Sequence, residues 1–293
     1  MTEGWITGRT RQLLAENGIR LKKSLGQHFL TDQHVLDRML HAAELGPEVG
    51  VIEIGPGIGA LTERLAKEAK KVVAIEMDSR LIPVLKELFA DDAHVDIIHG
   101  DALELDLVQL IHEKFHDCSS VNVVANLPYY VTSPILMRLL EDKLPLSRIV
   151  VMIQKEVAER LTAKPVGKAY GSLTVTTQYY TEAEWVSRVP ANVFVPRPQV
   201  DSAVIRLNVR QQPAVSVQNE RLFFRVVRAA FGQRRKTLAN ALAAGLFAGK
   251  RKEDLVRWIG EAGIDPKRRG ETLSIEEFAQ LTNHLDEVMR DLI

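Results

Sequence analysis

Short runs of consecutive apolar residues recur along the first half of the chain. The stretches between them carry apolar residues at helical spacing. VGVIEIG (49–55), KVVAIEMD (71–78), VDIIHGDAL (95–103), VNVVAN (121–126) and RIVVMIQ (148–154) read as strands, and ALTERLAKEAK (60–70) and SRLIPVLKELF (79–89) read as helices. A strand with no polar face is buried on both sides, and strands alternating with helices of about 10–15 residues form βαβ units. The pattern predicts an α/β fold with a doubly wound, mostly parallel sheet. In such sheets ligands bind outside the carboxyl ends of the strands. The residues found there are Gly55, Glu76, Gly100 with Asp101, and Asn126.

The pattern changes past residue 180. EAEWVSRVP and SAVIRLNVR read as strands joined by the proline-rich turn NVFVPRPQVD. QQPAVSVQN (211–219) is polar without periodicity and reads as a linker. Everything from 220 onward reads as helical, with breaks expected at Gly245, Gly249, Gly263 and Gly270. At the other end, RQLLAEN forms a short helical pattern before Gly18, followed by a basic stretch with Arg20, Lys22 and Lys23. These readings predict a first domain over 1–210, carrying a basic N-terminal arm over 1–25. A smaller all-helical domain follows over 211–293.

Charge adds a partner class. The chain is neutral overall, but residues 206–257 carry a net +9 and residues 258–293 a net −4. Arg221, Arg225 and Arg228 fall at i, i+4 and i+7 on one helical face, and Arg234, Arg235 and Lys236 cluster just beyond. A basic block of this kind is what binds nucleic-acid phosphates. With no RRM, KH or zinc pattern in the sequence, recognition is expected to be of folded RNA shape.

No apolar run approaches the roughly 20 residues that span a bilayer, and the N-terminus lacks an apolar signal region. Cys118 is the only cysteine, which suits a reducing compartment and an inert thiol. The histidines are scattered without ligand spacing. The expectation is a cytoplasmic monomer with no membrane association and no metal.

The segment EIGPGIGA (53–60) is a strand-to-helix glycine turn, which lets a ligand approach the backbone closely. Glu76 ends the next strand, where a carboxylate accepts hydrogen bonds from both ribose hydroxyls. Asp101 ends the third strand, placed to accept from an adenine amino group. The spacing is GxGxG rather than GxGxxG, and Pro56 removes one N–H from the turn, which weakens a pyrophosphate nest. S-adenosylmethionine is therefore favoured over NAD. Gly55, Gly57, Glu76, Met77, Asp101 and Ala102 are the candidate cofactor residues on these strand ends.

VVANLPYYVTSP (123–134) begins as a buried strand and runs straight into an amide, a proline and two phenols. The sequence Asn126-Leu127-Pro128-Tyr129 answers a chemical need. The exocyclic nitrogen of adenine is a poor nucleophile because its lone pair is delocalised into the ring. The amide oxygen of Asn126, with a carbonyl preceding or within Leu127-Pro128, can accept both of its N–H bonds. That draws the nitrogen toward tetrahedral geometry, a matter of orientation and electrostatics. Tyr129 offers a flat face for a flipped-out base, and Phe194 is a candidate for the opposite face.

SLGQHFL, IEIGPGIGALT, AIEMD, GDAL, NLPYY, QKEVAERL, YGSLTV and NVFVPRPQVDSAVIRL follow one another as in the KsgA/RsmA-type ribosomal RNA adenine N6-dimethyltransferases, and the chain resembles that family from about residue 20 to about residue 280. The resemblance implies a Rossmann-like, S-adenosylmethionine-dependent methyltransferase. Such an enzyme would dimethylate two adjacent adenosines near the 3′ end of small-subunit rRNA, within an immature 30S particle. It also implies cofactor contacts from Leu30 and the residue at 28, from Gly55, and from Glu76, Asp101 and Asn126, with Gln27 lining the pocket. The family commonly has Asn where this chain has His28, which leaves open whether that side chain or only its backbone contributes. Two other readings compete: an Erm-like enzyme acting on large-subunit rRNA, and an assembly checkpoint whose main role is binding.

Overall fold

The structure, a computed structural model, describes residues 18, 28–30 and 32–290. The helix expected in RQLLAEN, the basic arm over 1–25 with Arg20, Lys22 and Lys23, and Gln27 lie outside the described residues. Two compact units emerge. One takes the described residues up to Ala158 together with Glu182–Val209; the other takes Glu159–Thr181 and everything from Arg210.

In the first unit, β1 (Phe29–Leu30) and α1 (Gln33–Ala43) precede the alternating series. That series runs β2 (Val49–Ile54), α2 (Ala60–Glu68), β3 (Lys71–Glu76), α3 (Ile82–Leu88), β4 (Val95–His99), α4 (Leu107–Lys114), β5 (Ser120–Asn126), α5 (Thr132–Glu141) and β6 (Arg148–Gln154). α6 (Lys155–Leu161) follows and leads into the second unit, where α7 (Ser172–Tyr180) lies. The chain then returns through β7 (Thr181–Val189), β8 (Phe194–Val195) and β9 (Ser202–Val209).

One seven-stranded sheet has the order β4-β3-β2-β5-β6-β9-β7. The pairs among β4, β3, β2, β5 and β6 are parallel, and β9 runs antiparallel to β6 from Arg148↔Asn208 to Gln154↔Ser202. The two strands expected after residue 180 thus extend the same sheet. β2, β3, β5 and β6 are buried along nearly their whole length, as their continuous apolar runs require. The parallel registers Ile54↔Ile75 and Glu76↔His99 bring the carboxyl ends of β2, β3 and β4 to one edge, and β5 ends beside them.

The second unit continues with α8 (Glu220–Gly232), α9 (Leu238–Phe247), α10 (Lys252–Glu261) and α11 (Ile275–Arg290). α8 is capped by Asn219, whose side chain accepts from the Leu222 N–H at 3.0 Å. Residues Glu159–Thr181 group with these helices, whereas the sequence reading counts them with the first domain. The reason lies in packing: Tyr170 and Tyr179 are buried among Phe223, Phe224 and Phe278, and the Tyr170 hydroxyl donates to the Leu273 carbonyl at 2.9 Å. The expected linker 211–219 has no regular structure but is tied down. The Ala214 N–H donates to the Tyr179 carbonyl and the Gln218 N–H to Asn283 Oδ1, both at 2.9 Å.

The expected break at Gly245 is also corrected, since this residue lies inside α9. Glycine is needed there for close approach: a Cβ would sit 2.5 Å from that of Ala229. Gly249 and Gly263, both at positive φ, do follow helix ends.

Candidate active site

A cavity of about 200 Å³ opens at the carboxyl edge of the sheet, and the turns after β2, β3, β4 and β5 all contribute to its wall. After β2 the chain turns through Gly55 and Gly57 at φ of 73° and 58°, the left-handed region where an L side chain is strained. This turn brings bare backbone to the cavity and lets the Gly57 N–H donate to Glu76 Oε2 at 3.1 Å. The other carboxylate oxygen of Glu76 accepts from the Asp78 N–H at 2.8 Å. Glu76 is buried, and burial raises its pKa; the N–H donors of Asp78 and Gly57 pull the other way. Each oxygen makes one short backbone bond, and the carboxylate keeps acceptor capacity for a hydroxyl donor. Met77, beside it, is exposed and lines the mouth.

After β4, Asp101 Oδ1 accepts from the Leu103 N–H at 2.8 Å and closes a tight turn. Arg138 on α5 braces that turn, donating to the carbonyls of Ala102 (2.9 Å) and Leu105 (2.6 Å). Asp101 and Ala102 both reach the cavity.

Asn126 ends β5. Its Nδ2 donates to the His28 carbonyl at 3.2 Å, which leaves Oδ1 as the remaining acceptor of the amide. Leu127 is buried, and its N–H donates to the Met152 carbonyl at 3.2 Å. The Pro128 carbonyl is already occupied, accepting from Thr132 Oγ1 at 3.1 Å and the Val131 N–H at 3.2 Å. The Leu127 carbonyl takes no donor among the described residues. Of the Leu127 and Pro128 carbonyls, it is the free one. Tyr129 is held through its hydroxyl, 2.7 Å from Ser202 Oγ, and lines the cavity with its ring.

Phe194 does not reach the site. It is 3% exposed, paired with Leu30 across the β1–β8 ladder and packed into the core. Its ring has no free face for a base, so the expected role opposite Tyr129 is corrected. Leu30 is buried and lines the cavity, as does His28.

Glu53 is a cavity residue that the sequence reading passes over. It is 1% exposed and accepts from Thr62 Oγ1 at 2.6 Å. Burial pushes its pKa up to about 8; the Thr62 bond opposes this and the neighbouring Glu76 charge adds to it. The signal in the sequence is a lone carboxylate inside the apolar run VIEI. Away from the cavity, burial pushes the Cys118 thiol up, so it stays protonated at neutral pH.

In the second unit, Arg221, Arg225 and Arg228 are exposed along α8, opposite its buried face. Arg235 and Lys236 are also exposed, and none of these five has a carboxylate partner among the described residues. Arg234 differs. It pairs with Glu271 at 3.2 Å and donates to the carbonyls of Lys168 and Tyr170, so its guanidinium is largely engaged in holding the fold. Among the described residues no cluster of His, Cys, Asp and Glu is arranged to hold a metal ion, and no helix is long and apolar enough to cross a membrane.

Residues 18–287 match the ribosomal RNA adenine dimethylase family. A ribosomal RNA small subunit methyltransferase A from Anoxybacillus flavithermus is 58% identical over 94% of this chain and 94% of its own length. The protein of the same name from Bacillus pumilus is 56% identical over 96% and 97%. Among solved structures, a dimethyladenosine transferase from Plasmodium falciparum superposes with a TM-score of 0.72 at 25% identity, covering 91% of this chain and 99% of that one. The 23S rRNA methyltransferase ErmE gives 0.66 at 26% identity, covering 88% and 99%. With a glycine turn, the buried Glu76 carboxylate and Asn-Leu-Pro-Tyr converging on one cavity, and with this match over nearly its whole length, the chain belongs to the ribosomal RNA adenine dimethylase family.

Proposed function

We propose that this protein dimethylates N6 of two adjacent adenosines near the 3′ end of small-subunit rRNA, acting in the cytoplasm on an immature 30S particle. The methyl donor is S-adenosylmethionine. The observation that carries the reading is the pair of free acceptors at the end of β5, Asn126 Oδ1 and the Leu127 carbonyl, beside the ring of Tyr129.

The residues at the strand ends fit the donor. Gly55 and Gly57 form a cradle that a side chain would strain, Glu76 keeps acceptor sites for ribose hydroxyls, and Asp101 keeps its Oδ2 for an amino group. Leu30, Met77 and Ala102 supply apolar wall. When bound, S-adenosylmethionine supplies an electrophilic methyl group.

The chain's own residues act on the other reactant. Tyr129 stacks against the extruded base and sets its plane. Asn126 Oδ1 and the Leu127 carbonyl accept the two N–H bonds of the exocyclic nitrogen, directing its lone pair away from the ring. No general base is needed before transfer, because the positive charge that develops on nitrogen is itself stabilised by the two oxygens. Transfer leaves the nitrogen cationic, and it then loses one proton to solvent. It retains one N–H, so one acceptor still orients it for the second transfer.

The exposed and unpaired Arg221, Arg225, Arg228, Arg235 and Lys236 grip RNA phosphates in the second unit, with Arg234 a lesser contributor. The relatives at 56–58% identity favour the small subunit over the Erm-like substrate. The test is methyl transfer from labelled S-adenosylmethionine to naked small-subunit rRNA, undermethylated small subunits and large subunits, with the sites mapped. Label on adjacent adenosines of the small subunit is the expected result. Label confined to the large subunit would overturn the assignment, and binding without transfer would leave the checkpoint role alone.

A further inference from the structure

His28 touches both working parts of the site. Its carbonyl accepts from Asn126 Nδ2 at 3.2 Å. Its imidazole stacks on the ring of Tyr129, with centroids 5.4 Å apart and planes inclined by 30°. The ring is itself anchored, since Nδ1 lies 2.7 Å from the Pro196 carbonyl; a carbonyl only accepts, so Nδ1 carries the proton. Two residues further on, β1 is tied to β8 through Leu30↔Phe194, and both of these side chains are buried. The segment bearing His28 is therefore tied to the core at Leu30.

These contacts limit what Tyr129 can do. Its hydroxyl is held by Ser202 and one ring face is covered by His28, so a base has only the opposite face. A phenol held by its hydroxyl alone would retain rotation about its side-chain bonds. The imidazole behind it removes that freedom before the base arrives, which is where stacking geometry gains rate. The carbonyl contact does the same for the amide, since it fixes which end of Asn126 faces the cavity as an acceptor.

We propose that His28 is a positioning residue for adenine methylation: its ring backs Tyr129, so that the target base completes a three-layer stack, and its carbonyl orients the Asn126 amide. This rests on the adenine-methylating reading above. His28 also lines the cofactor cavity, but the contacts of its ring are with Tyr129 and the Pro196 carbonyl, and these are what the inference uses.

The test uses the full-length protein, undermethylated small subunits and S-adenosylmethionine, with S-adenosylhomocysteine affinity measured separately by calorimetry. His28→Ala should lower kcat by about 3- to 10-fold, the range an aromatic pair supports, while leaving S-adenosylhomocysteine affinity within about twofold. His28→Phe, which keeps a ring but not the Pro196 bond, should stay within about twofold of wild-type kcat. In a Tyr129→Ala background the loss of the His28 ring should cost nothing more, because the two residues act as one unit. His28→Asn, polar but ringless, takes the place of the alanine variant should that fail to fold.

Three results would overturn the inference: affinity falling while kcat holds, a phenylalanine variant as slow as alanine, or effects that simply multiply in the Tyr129→Ala background. If instead the wild-type protein leaves small-subunit adenosines unmodified, the functional reading fails and the inference falls with it. An active wild type with insensitive His28 variants removes the inference alone.

Discussion

The Gly57 N–H donates to Glu76 Oε2 at 3.1 Å, joining the turn after β2 to the end of β3. The glycine turn and the carboxylate are thus one structure. The left-handed Gly57 presents the N–H, and the carboxylate braces the turn in return. Since Asp78 donates to the other oxygen, Glu76 is fixed in rotamer before a ribose arrives.

Glu76→Ala should therefore weaken cofactor binding more than it slows transfer at saturation. Hydrogen bonds to a charged group are worth about 1.5–3 kcal/mol each, so the loss of even one of the two should raise Kd by about 10- to 100-fold. Glu76→Gln is not conservative here. Both oxygens face backbone N–H donors, and an amide presents its own donor to one of them. Calorimetry on the two variants checks this, and an unchanged Kd in either would remove Glu76 from the cofactor site.

Asn126→Ala should behave in the opposite way. It removes one of two acceptors for the target nitrogen and should lower kcat by about 100- to 1,000-fold. Asn126 also lines the cofactor cavity, so affinity weakens, but far less than turnover. Single-turnover transfer to undermethylated subunits, run beside calorimetry, separates the two effects. Near-normal turnover would end the two-acceptor mechanism.

Much of this site is legible in the sequence because its residues terminate strands. A continuous apolar run followed by a polar residue announces both the strand and the position of its carboxyl end, and Gly55, Glu76, Asp101 and Asn126 all reach the cavity. Phe194 misleads because its burial depends on a two-residue ladder with β1, too short to leave any periodicity. Gly245 misleads for a related reason: a glycine required by packing against Ala229 looks in sequence like one required by a turn. The grouping of Glu159–Thr181 with the helical unit arises from aromatic packing between distant segments, which no local pattern encodes. The helix over Leu107–Lys114 escapes a sequence reading because it is short and follows directly on the β4 turn.

Glu53 should make stability pH-dependent in a defined direction. Its folded pKa is pushed up to about 8 by burial, above the ordinary glutamate value of 4.5. Between those values the folded state binds the proton more tightly than the unfolded chain. The contribution is fully present below the lower value and fades as pH rises toward 8. Glu53→Gln cannot ionise and keeps a carbonyl oxygen for Thr62. Its stability relative to wild type should rise between about pH 5 and about pH 8, by on the order of a few kcal/mol. Glu76 adds a trend of the same sign to both proteins, and the difference cancels it. Denaturant unfolding at several pH values checks this; parallel curves for the two proteins would mean that Glu53 is ionised in the fold.

The basic face of the second unit should control subunit binding without touching the chemistry. Arg221, Arg225 and Arg228 project from one side of α8, whose other side is core, so replacing them with glutamine leaves Phe223, Val226 and Val227 in place. Removing one bound phosphate should lower the log–log salt slope of subunit binding by about 0.7–0.9, by analogy with nucleic-acid duplexes and single strands. The triple variant should thus bind undermethylated subunits more weakly and with a flatter salt dependence, while cofactor affinity stays at the wild-type value. Arg234→Gln should act differently, lowering thermal stability, because its guanidinium holds Glu271 and the Lys168 and Tyr170 carbonyls. Filter binding across a salt series, with thermal melts of the same variants, distinguishes the two roles. A triple variant with wild-type affinity and slope would make this face a solvated helix surface and would move RNA recognition to other residues.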